Sequence, residues 1–408
     1  MRPDVLFLQP AYPAEMRQFT RGLAEAGARV WGVGDTHESA LPASLKRHLS
    51  GYLRVGSLMG DEAEIMRQIE AWLGRRRPDF VEANWEPVTL LAARLRERWA
   101  LPGMSLDTVM GFRDKKLMHE RIAAAGLRTA RSARVQTESE AWEAAEDLGY
   151  PLVLKPTSGA GGQDTYICAD ATELTEALLH TRHITEVVIE EFVTGEEFTF
   201  EALTVNGNPW FHSVSRYLPN VLDARKHEWI SPIIACVRDL DAPDLASGMR
   251  LGHRSIAALG MGTGMSHMEW FRQEDGSAVF GEMACRPPGA AMMDLMNYAR
   301  DVDLFTAWGR AVIGADPQLP TARPYNAAII FKRAIGQGRI RAVHGIDSFI
   351  ARYQPHIARV ELLPVGAVRR NWRATFMGDG NIVVRHPDLG TCLQMAREAA
   401  SEIQMFAS

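Results

Sequence analysis

Paired cysteines, a signal-length apolar run and an excess of charge of either sign are all missing from this 408-residue sequence. Cys168, Cys236, Cys285 and Cys392 stand far apart, with no C-x-x-C spacing and no histidine at ligand spacing. That excludes a disulfide framework or a zinc site legible in the chain, and it predicts reduced thiols in a cytoplasmic protein. No stretch approaches the ~18 consecutive apolar residues of a membrane span. The early run Val5 to Leu8 stops at Gln9-Pro10, too short for a signal peptide. Lys and Arg number 45 against 50 Asp and Glu, a net charge of -5. Nucleic acid and anionic membrane surfaces are therefore not expected partners. Arg75, Arg76 and Arg77 are a lone triplet before Pro78. Aromatics make up only 8%, yet 46% of residues are hydrophobic, which is enough for two or three separate cores. Internal repeats and low-complexity tracts are absent.

What is present begins as strand, loop, helix and strand over residues 4 to 34. Phe19, Leu23 and Ala26 fall at helical spacing and Gly27 is placed to end the helix. This reads as the βαβ opening of a parallel sheet, without the G-x-G-x-x-G of a dinucleotide site. Helices at Glu62 to Leu73 and Val88 to Arg98, around a strand at Asp79 to Ala83, continue the alternation. Glu86, between Trp85 and Pro87, sits where open α/β sheets present ligand groups, although a charge at a helix start explains it more simply. The first boundary falls near Met104 to Met110.

From Gly111 to Leu127 a single helix is expected, with Asp114 in its first turn and Leu117, Ile122 and Ala125 facing inward. Lys115 and Lys116 oppose the dipole at its start unless an anion sits there; otherwise they are a solvated pair. A strand (Ala133 to Gln136) and a helix (Glu138 to Leu148) lead into Y-P-L-V-L-K-P-T-S-G-A-G-G-Q-D-T, Tyr150 to Thr165. There Leu152, Val153 and Leu154 form a short strand that delivers Lys155 to a turn holding Gly159, Gly161 and Gly162. Backbone N–H groups of glycines can approach a ligand closely, and phosphate oxygens suit them. The lysine precedes the glycines, so this is not a Walker A loop. By itself the string fits a plain hairpin equally well.

A strand at Gly162 to Cys168 and a helix near Ala171 to His180 follow. Val187 to Ile189 is a buried-type strand followed by Glu190 and Glu191, and Phe198 to Val205 is another after a turn at Thr194-Gly195. Acids at the end of a buried strand need hydrogen-bond donors, such as an adenine amino group and a ribose would bring. Met265 to Phe271 and Ala278 to Gly289 read as paired antiparallel strands that bring Glu269, Glu282 and Arg286 to one end. Two such glutamates suit Mg²⁺, which binds one or two carboxylates plus phosphates. His267 beside them is read as an orienting group. Arg216, Tyr217, Lys226, His227 and Trp229, in an expected polar loop from Tyr217 to Trp229, are candidates for the acceptor side, with a solvated loop as the simpler account. Beyond Arg323, strands at Asn326 to Lys332, Arg359 to Leu363, Arg373 to Met377 and Asn381 to Arg385 and a helix from Leu389 to Met405 carry no legible chemistry; His386 is read as structural.

The order of a D-K helix start, a strand-K-P-x-x-G-x-G-G loop, E-E-F-V-x-G-x-E, and paired strands bearing E and E-x-x-x-R-P-x-G resembles the ATP-grasp superfamily over roughly residues 111 to 300. It looks most like the amino-acid ligase branch that includes carnosine synthase. The resemblance implies an α/β and α+β protein: an N-terminal Rossmann-like parallel-sheet domain (1–110), an ATP-grasp small lobe with the glycine loop (111–190), a large lobe with the metal site (191–322), and a C-terminal α+β segment (323–408). It implies ATP and Mg²⁺, with Mn²⁺ as a substitute, and an ATP-dependent ligase joining a small carboxylate to an amine through an acyl phosphate. The alternative is a carboxylase-like or nucleotide-pathway ligase activating bicarbonate or formate. A homodimer is left open.

Carried over residue by residue, Lys115 and Lys155 match the phosphate-side lysines and Ser158 to Gly162 the loop covering the phosphates. Glu190, with Phe192 and Val193 beside it, matches the adenine hinge, and Glu197 the ribose acid. Glu269 and Glu282 match the metal carboxylates, and Arg286 the arginine at the transferred phosphoryl group. The pattern departs at Ala284, where many relatives have Asn, so a second ion would rest on Glu282 and phosphates alone.

Overall fold

The computed structural model describes residues 2–157 and 164–408, apart from the side chains of Leu222 and Arg225. Strands β1 (Asp4–Leu8), β2 (Arg29–Gly34), β3 (Gly51–Arg54) and β4 (Phe80–Ala83) form a parallel sheet in the order β3-β2-β1-β4. Val5 through Leu8 are fully buried, as a strand covered on both faces must be. The helix Met16–Glu25 buries Phe19 and Leu23 and lies against the helix Leu304–Val312. Their backbones meet at Gly22 and Gly309: a Cβ on Gly22 would lie 2.2 Å from the carbonyl oxygen of Phe305. This contact locks the first sheet layer to the largest sheet of the molecule.

A second sheet is built from β5 (Ser132–Val135), β6 (Leu152–Pro156), β7 (Tyr166–Cys168) and β8 (Val187–Glu191), antiparallel in the order β5-β8-β6-β7. The helices Glu138–Leu148 and Ala171–Thr181 cover one face through Ala141, Ala145, Leu174 and Ala177. The remaining strands are β9 (Glu196–Val205), β10 (Asn208–Leu218), β11 (Ile233–Cys236), β12 (Gly264–Arg272), β13 (Ala278–Ala284), β14 (Asn326–Phe331), β15 (Ile335–Gly336), β16 (Ile340–His344), β17 (Ile357–Leu362), β18 (Gly380–His386) and β19 (Gln404–Ala407). Eight of them form one antiparallel sheet, β13-β12-β9-β10-β11-β14-β18-β17, and β15, β19 and β16 form a small third layer. Strand β9 is buried from Glu197 to Thr204 because helices cover both faces of this sheet.

Local expectations fail where a single residue redirects the chain. Residues 111–127 are not one helix: Leu106–Arg113 ends, and Lys115–Ala124 starts afresh with Asp114 as its cap, its carboxylate accepting from the Leu117 N–H at 3.0 Å. That rotates the buried face to Met118, His119 and Ile122, and leaves Leu117 and Ala125 only partly covered. Glu190 and Glu191 lie inside β8 rather than after it. Tyr217 is a buried residue of β10, and Val221–Lys226 is a short helix, so the expected polar loop is mostly structured. Residues 373–377 form turns in which Ala374 and Thr375 donate to the Asn371 carbonyl, not a strand. The closing helix stops at Glu402 and gives way to β19. The strand expected from Gly162 begins, among the described residues, at Tyr166. No helix of the described residues is long and apolar enough to cross a membrane.

Candidate functional site

Two neighbouring clefts adjoin the large sheet, the first between it and the small sheet and the second between it and the N-terminal layer. The first, about 1370 Å³ and open to solvent, is lined by Lys115, Lys155, Glu190, Phe192, Val193, Glu197, Glu269 and Glu282. Every described residue singled out in sequence for nucleotide or metal thus faces one space. Ser158, Gly159, Gly161 and Gly162 lie outside the described residues, while Pro156 and Thr165 on either side of them line this cleft.

Lys155 stands near the end of β6, where the strand meets β8 with Val153 opposite Glu190 and Lys155 opposite Val188. Its Nζ donates to Glu190 Oε1 at 2.5 Å. Glu191 also lines the cleft and is paired with Arg128 at 2.5 Å. Burial alone would raise the Glu191 carboxyl; the Arg128 hydrogen bond outweighs it and holds the group below its usual range. Glu197 accepts from the Val221 N–H at 2.8 Å. Burial, reinforced by the negative charge of Glu269, pushes its carboxyl well above the carboxylate range. A buried acid without a cation is a costly arrangement in the free protein, and hydroxyl donors would relieve it.

Glu269 on β12 is in direct register with Glu282 on β13, beside a bulge at Trp270. Directly opposed residues of an antiparallel pair have Cβ atoms roughly 4.5–5.5 Å apart, so both carboxylates rise from the same face. Lys115, at the start of its helix, donates from Nζ to Glu282 Oε2 at 2.7 Å. Burial opposes charge on both partners. The attraction wins: Lys115 is raised, and Glu282, drawn also by Lys155, is held below the usual carboxylate range. His267 bridges Glu201 Oε1 (2.9 Å) and Glu269 Oε1 (3.7 Å). Burial favours its neutral form, but the two carboxylates outweigh this and raise it to about 9, so it is an imidazolium holding Glu269 in place. Ala284 stands opposite His267, and its methyl brings no ligand.

Among the described residues no group of three or more His, Cys, Asp and Glu encloses an ion. The paired carboxylates nonetheless have the hard-oxygen chemistry that Mg²⁺ takes when phosphates complete its shell, and Glu269 and Glu282 would hold it.

The second cleft, about 1390 Å³, shares Glu269 and Val221 with the first and reaches the N-terminal sheet. Arg286 faces this one. Its Nε donates to Glu86 Oε2 at 2.9 Å, and Arg113 pairs with the other oxygen of the same carboxylate. Glu86 is therefore a bridge between two guanidiniums, not merely a helix-start charge. Arg113 and Glu15, which also line this cleft, were not anticipated. The only signal for them was position: Arg113 precedes the capping Asp114, and Glu15 opens the first helix of the βαβ unit.

The acceptor-side candidates scatter. Tyr217 lines the second cleft and Lys226 the first, where it pairs with Asp223 at 2.7 Å. Arg216 pairs with Glu196 at 2.7 Å and lies over Phe198. His227 and Trp229 stack with ring centroids 4.2 Å apart and line a separate groove with Arg369 and Arg370.

Residues 114–201 match the family model described as carbamoyl-phosphate synthase L chain, ATP binding domain. An uncharacterized protein of Sinorhizobium fredii is 28% identical over 280 residues, 64% of this chain and 54% of that protein. The L-arginine-specific L-amino acid ligase of Bacillus subtilis is 22% identical over 258 residues, 62% of this chain and 61% of that one. The chain thus spans between about half and three fifths of the length of these curated relatives. The crystal structure of an L-amino acid ligase from Bacillus licheniformis superposes with a TM-score of 0.79 over 100% of this chain and 99% of that one, at 19% identity. The matched segment carries Lys115, Lys155 and Glu190 of the first cleft, and over the whole chain the fold is that of the L-amino acid ligase structure.

Proposed function

We propose that this protein is an ATP-dependent carboxylate–amine ligase. The observation that carries the reading is that the two clefts share Glu269 in their walls: a charged cleft suited to a nucleotide lies beside a mixed apolar and polar one suited to an organic acid. In this reading Glu190, with the backbone beside Phe192 and Val193, receives the adenine, and Glu197 the ribose. Lys115 and Lys155 meet the phosphates, and the resemblance assigns Ser158, Gly159, Gly161 and Gly162 to the same ligand. Glu269 and Glu282 would hold Mg²⁺, which when bound would supply charge neutralisation for the transferring phosphoryl group. The bond from Lys155 to Glu190 is shared or released as the nucleotide enters.

A substrate carboxylate oxygen then attacks the γ-phosphorus. The bond from that phosphorus to the β,γ-bridging oxygen breaks, and ADP leaves with the bridging oxygen. Arg286, aimed by Glu86, stabilises the acyl phosphate. An amine attacks its carbonyl carbon, phosphate departs with the C–O electron pair, and the amine proton passes to solvent. Catalysis here is positioning and charge compensation, which is what these residue types supply. Residues 1–110, 111–190, 191–322 and 323–408 serve as the N-terminal, small-lobe, large-lobe and C-terminal parts of this machine, and the buried thiols suit a reducing cytoplasm.

The bicarbonate or formate alternative is disfavoured by the walls of the second cleft, where Phe19, Tyr217, Met292 and Phe376 offer surface that neither small anion could cover. The deciding experiment incubates the protein with ATP, Mg²⁺ and pairs of amino acids and follows ADP together with the mass of condensed product. One ADP per amide formed is expected. ATP turnover driven only by bicarbonate or formate overturns the reading.

A further inference from the structure

His227 and Trp229, singled out in the sequence, line neither of the two clefts described above. They belong to a third groove, about 1340 Å³ and open to solvent, whose other walls come from the C-terminal segment. Its charge is one-sided, against the net charge of -5 of the whole chain. Lys226, His227, Arg369, Arg370 and Arg373 line it, and Glu228 is the one acid among its described lining residues. Two of these cations are already compensated: Lys226 pairs with Asp223 at 2.7 Å, and Arg369 with Glu228. Arg370 and Arg373 are exposed and are not. The Arg370 guanidinium donates to the Gly378 carbonyl at 3.1 Å and Arg373 lies over the Trp372 ring at 5.3 Å, and neither has a carboxylate partner among the described residues.

The wall that carries them is fixed from behind. Asp379, fully buried, accepts from the Arg370 N–H at 2.6 Å and from the Ala334 N–H at 2.8 Å, and the Arg369 N–H donates to the Gly338 carbonyl at 3.0 Å. Arg369 is itself buried, and its Nη2 has no hydrogen-bond partner among the described residues. This wall therefore carries more donors than acceptors. Trp229 adds a different surface: it is 69% exposed even with the His227 ring stacked on it. A large apolar ring left in water gains by being covered, and another flat ring is the shape that covers it.

We propose that this groove is a second ligand site, for an aromatic ring that carries two negative charges, whose anionic groups meet Arg370 and Arg373 while the ring covers Trp229. Arginine suits the task because its planar fork takes a carboxylate or a phosphate by two parallel hydrogen bonds. Lys226 lines both this groove and the first cleft, so the two ligands share a wall. The site follows from the groove's own residues and stands apart from the chemistry assigned to the other clefts.

The test titrates the full chain by calorimetry with phenyl phosphate and isophthalate, the two forms this ligand chemistry takes. Benzoate, which lacks one charge, and succinate, which lacks the ring, are the controls. At least one aromatic dianion should bind roughly 10-fold or more tightly than either control, and the tighter of the two identifies the anionic group. The Arg373 side chain makes no hydrogen bond among the described residues, so Arg373→Gln should fold as the wild type does. It should weaken the aromatic dianion by roughly 10- to 100-fold, as should Arg370→Gln, and Trp229→Ala should weaken it by up to about 10-fold. Lys155→Ala, in the first cleft, should leave this binding as it is, and Arg373→Gln should leave the Kd for ATP unchanged. Binding lost in Lys155→Ala but kept in Arg373→Gln would put the ligand in the first cleft and overturn the proposal. Succinate binding as tightly as isophthalate, or no binding of either aromatic dianion, would overturn it as well.

Discussion

Glu86, at the C-terminal end of the first sheet, receives the Nε–H of Arg286 at 2.9 Å across 200 residues of sequence, with Arg113 on its other oxygen. A single carboxylate thereby fixes two guanidiniums that would otherwise repel, and it ties the N-terminal layer to the strand end that follows Glu282. Arginine is suited to this because its planar fork can give one edge to Glu86 and keep another for a ligand.

Removing that bridge should reveal a positioning role. Glu86→Gln keeps a neutral acceptor but loses the charge that gathers Arg113 and Arg286. It should lower kcat by about 10-fold or more, since misplacing a charge donor costs a substantial part of its contribution. Glu86→Asp should recover part of the loss. If kcat and the KM for the acid are both untouched in Glu86→Gln, the bridge is only structural.

Direct removal of a charge should do more. Lys155→Ala or Arg286→Ala is expected to slow turnover by about 10²–10³-fold, on the order of 3 to 4 kcal/mol, with a near-native far-ultraviolet circular dichroism spectrum. Lys155→Ala should also weaken ATP binding measured by calorimetry, whereas Arg286→Ala should not. Full activity in purified Arg286→Ala would remove that residue from the chemistry.

Stability on the acid side should be governed in part by His212. Its Nε2 lies 3.2 Å from an Arg323 guanidinium nitrogen, His253 stands edge-on at a ring-centroid distance of 5.2 Å, and Arg300 and Asp241 are the other charges that act on it. Burial first, then these cations and His253, depress it from 6.5 to about 4. The unfolded imidazole takes up its proton near 6.5 and the folded one only near 4, so between those values the unfolded chain binds more protons. Stability contributed by the neutral ring is complete above pH 6.5 and falls away as the pH drops toward 4, by of order 2 kcal/mol. His212→Gln should flatten that part of a Tm-against-pH curve. Parallel curves for the two proteins would refute it.

What the sequence made legible was local. Glu269 and Glu282 could be paired because a short turn at Glu274-Asp275-Gly276 fixes the register of two strands, and Lys155 because an apolar run ends in it. Asp114 as a helix cap was available in principle, since Asp is a preferred N-cap, but the helical pattern of Gly111 to Leu127 ran straight over it. Glu86 with Arg113 and Arg286 could not be found this way. Their meeting depends on where the first sheet docks, which is set by helix packing over hundreds of residues rather than by any spacing in the chain. Residues 373–377 misled in the opposite direction, because a strand-like local composition lost to turns closed on the Asn371 carbonyl.

That docking is itself testable at Gly22. A Cβ there would stand 2.2 Å from the Phe305 carbonyl oxygen, and one on Gly309 would stand 2.5 Å from the Gly22 carbonyl oxygen. Both obstacles are backbone, which cannot swing aside as a side chain can, so the helices Met16–Glu25 and Leu304–Val312 must separate to admit a methyl group. Gly22→Ala should therefore cost about 1–3 kcal/mol of stability, read as a lowered Tm. Gly56 has nothing within 4 Å of such a Cβ, and Gly56→Ala should leave Tm unchanged or slightly higher. Equal Tm values for Gly22→Ala and Gly56→Ala would mean that this helix contact is looser than the structure has it.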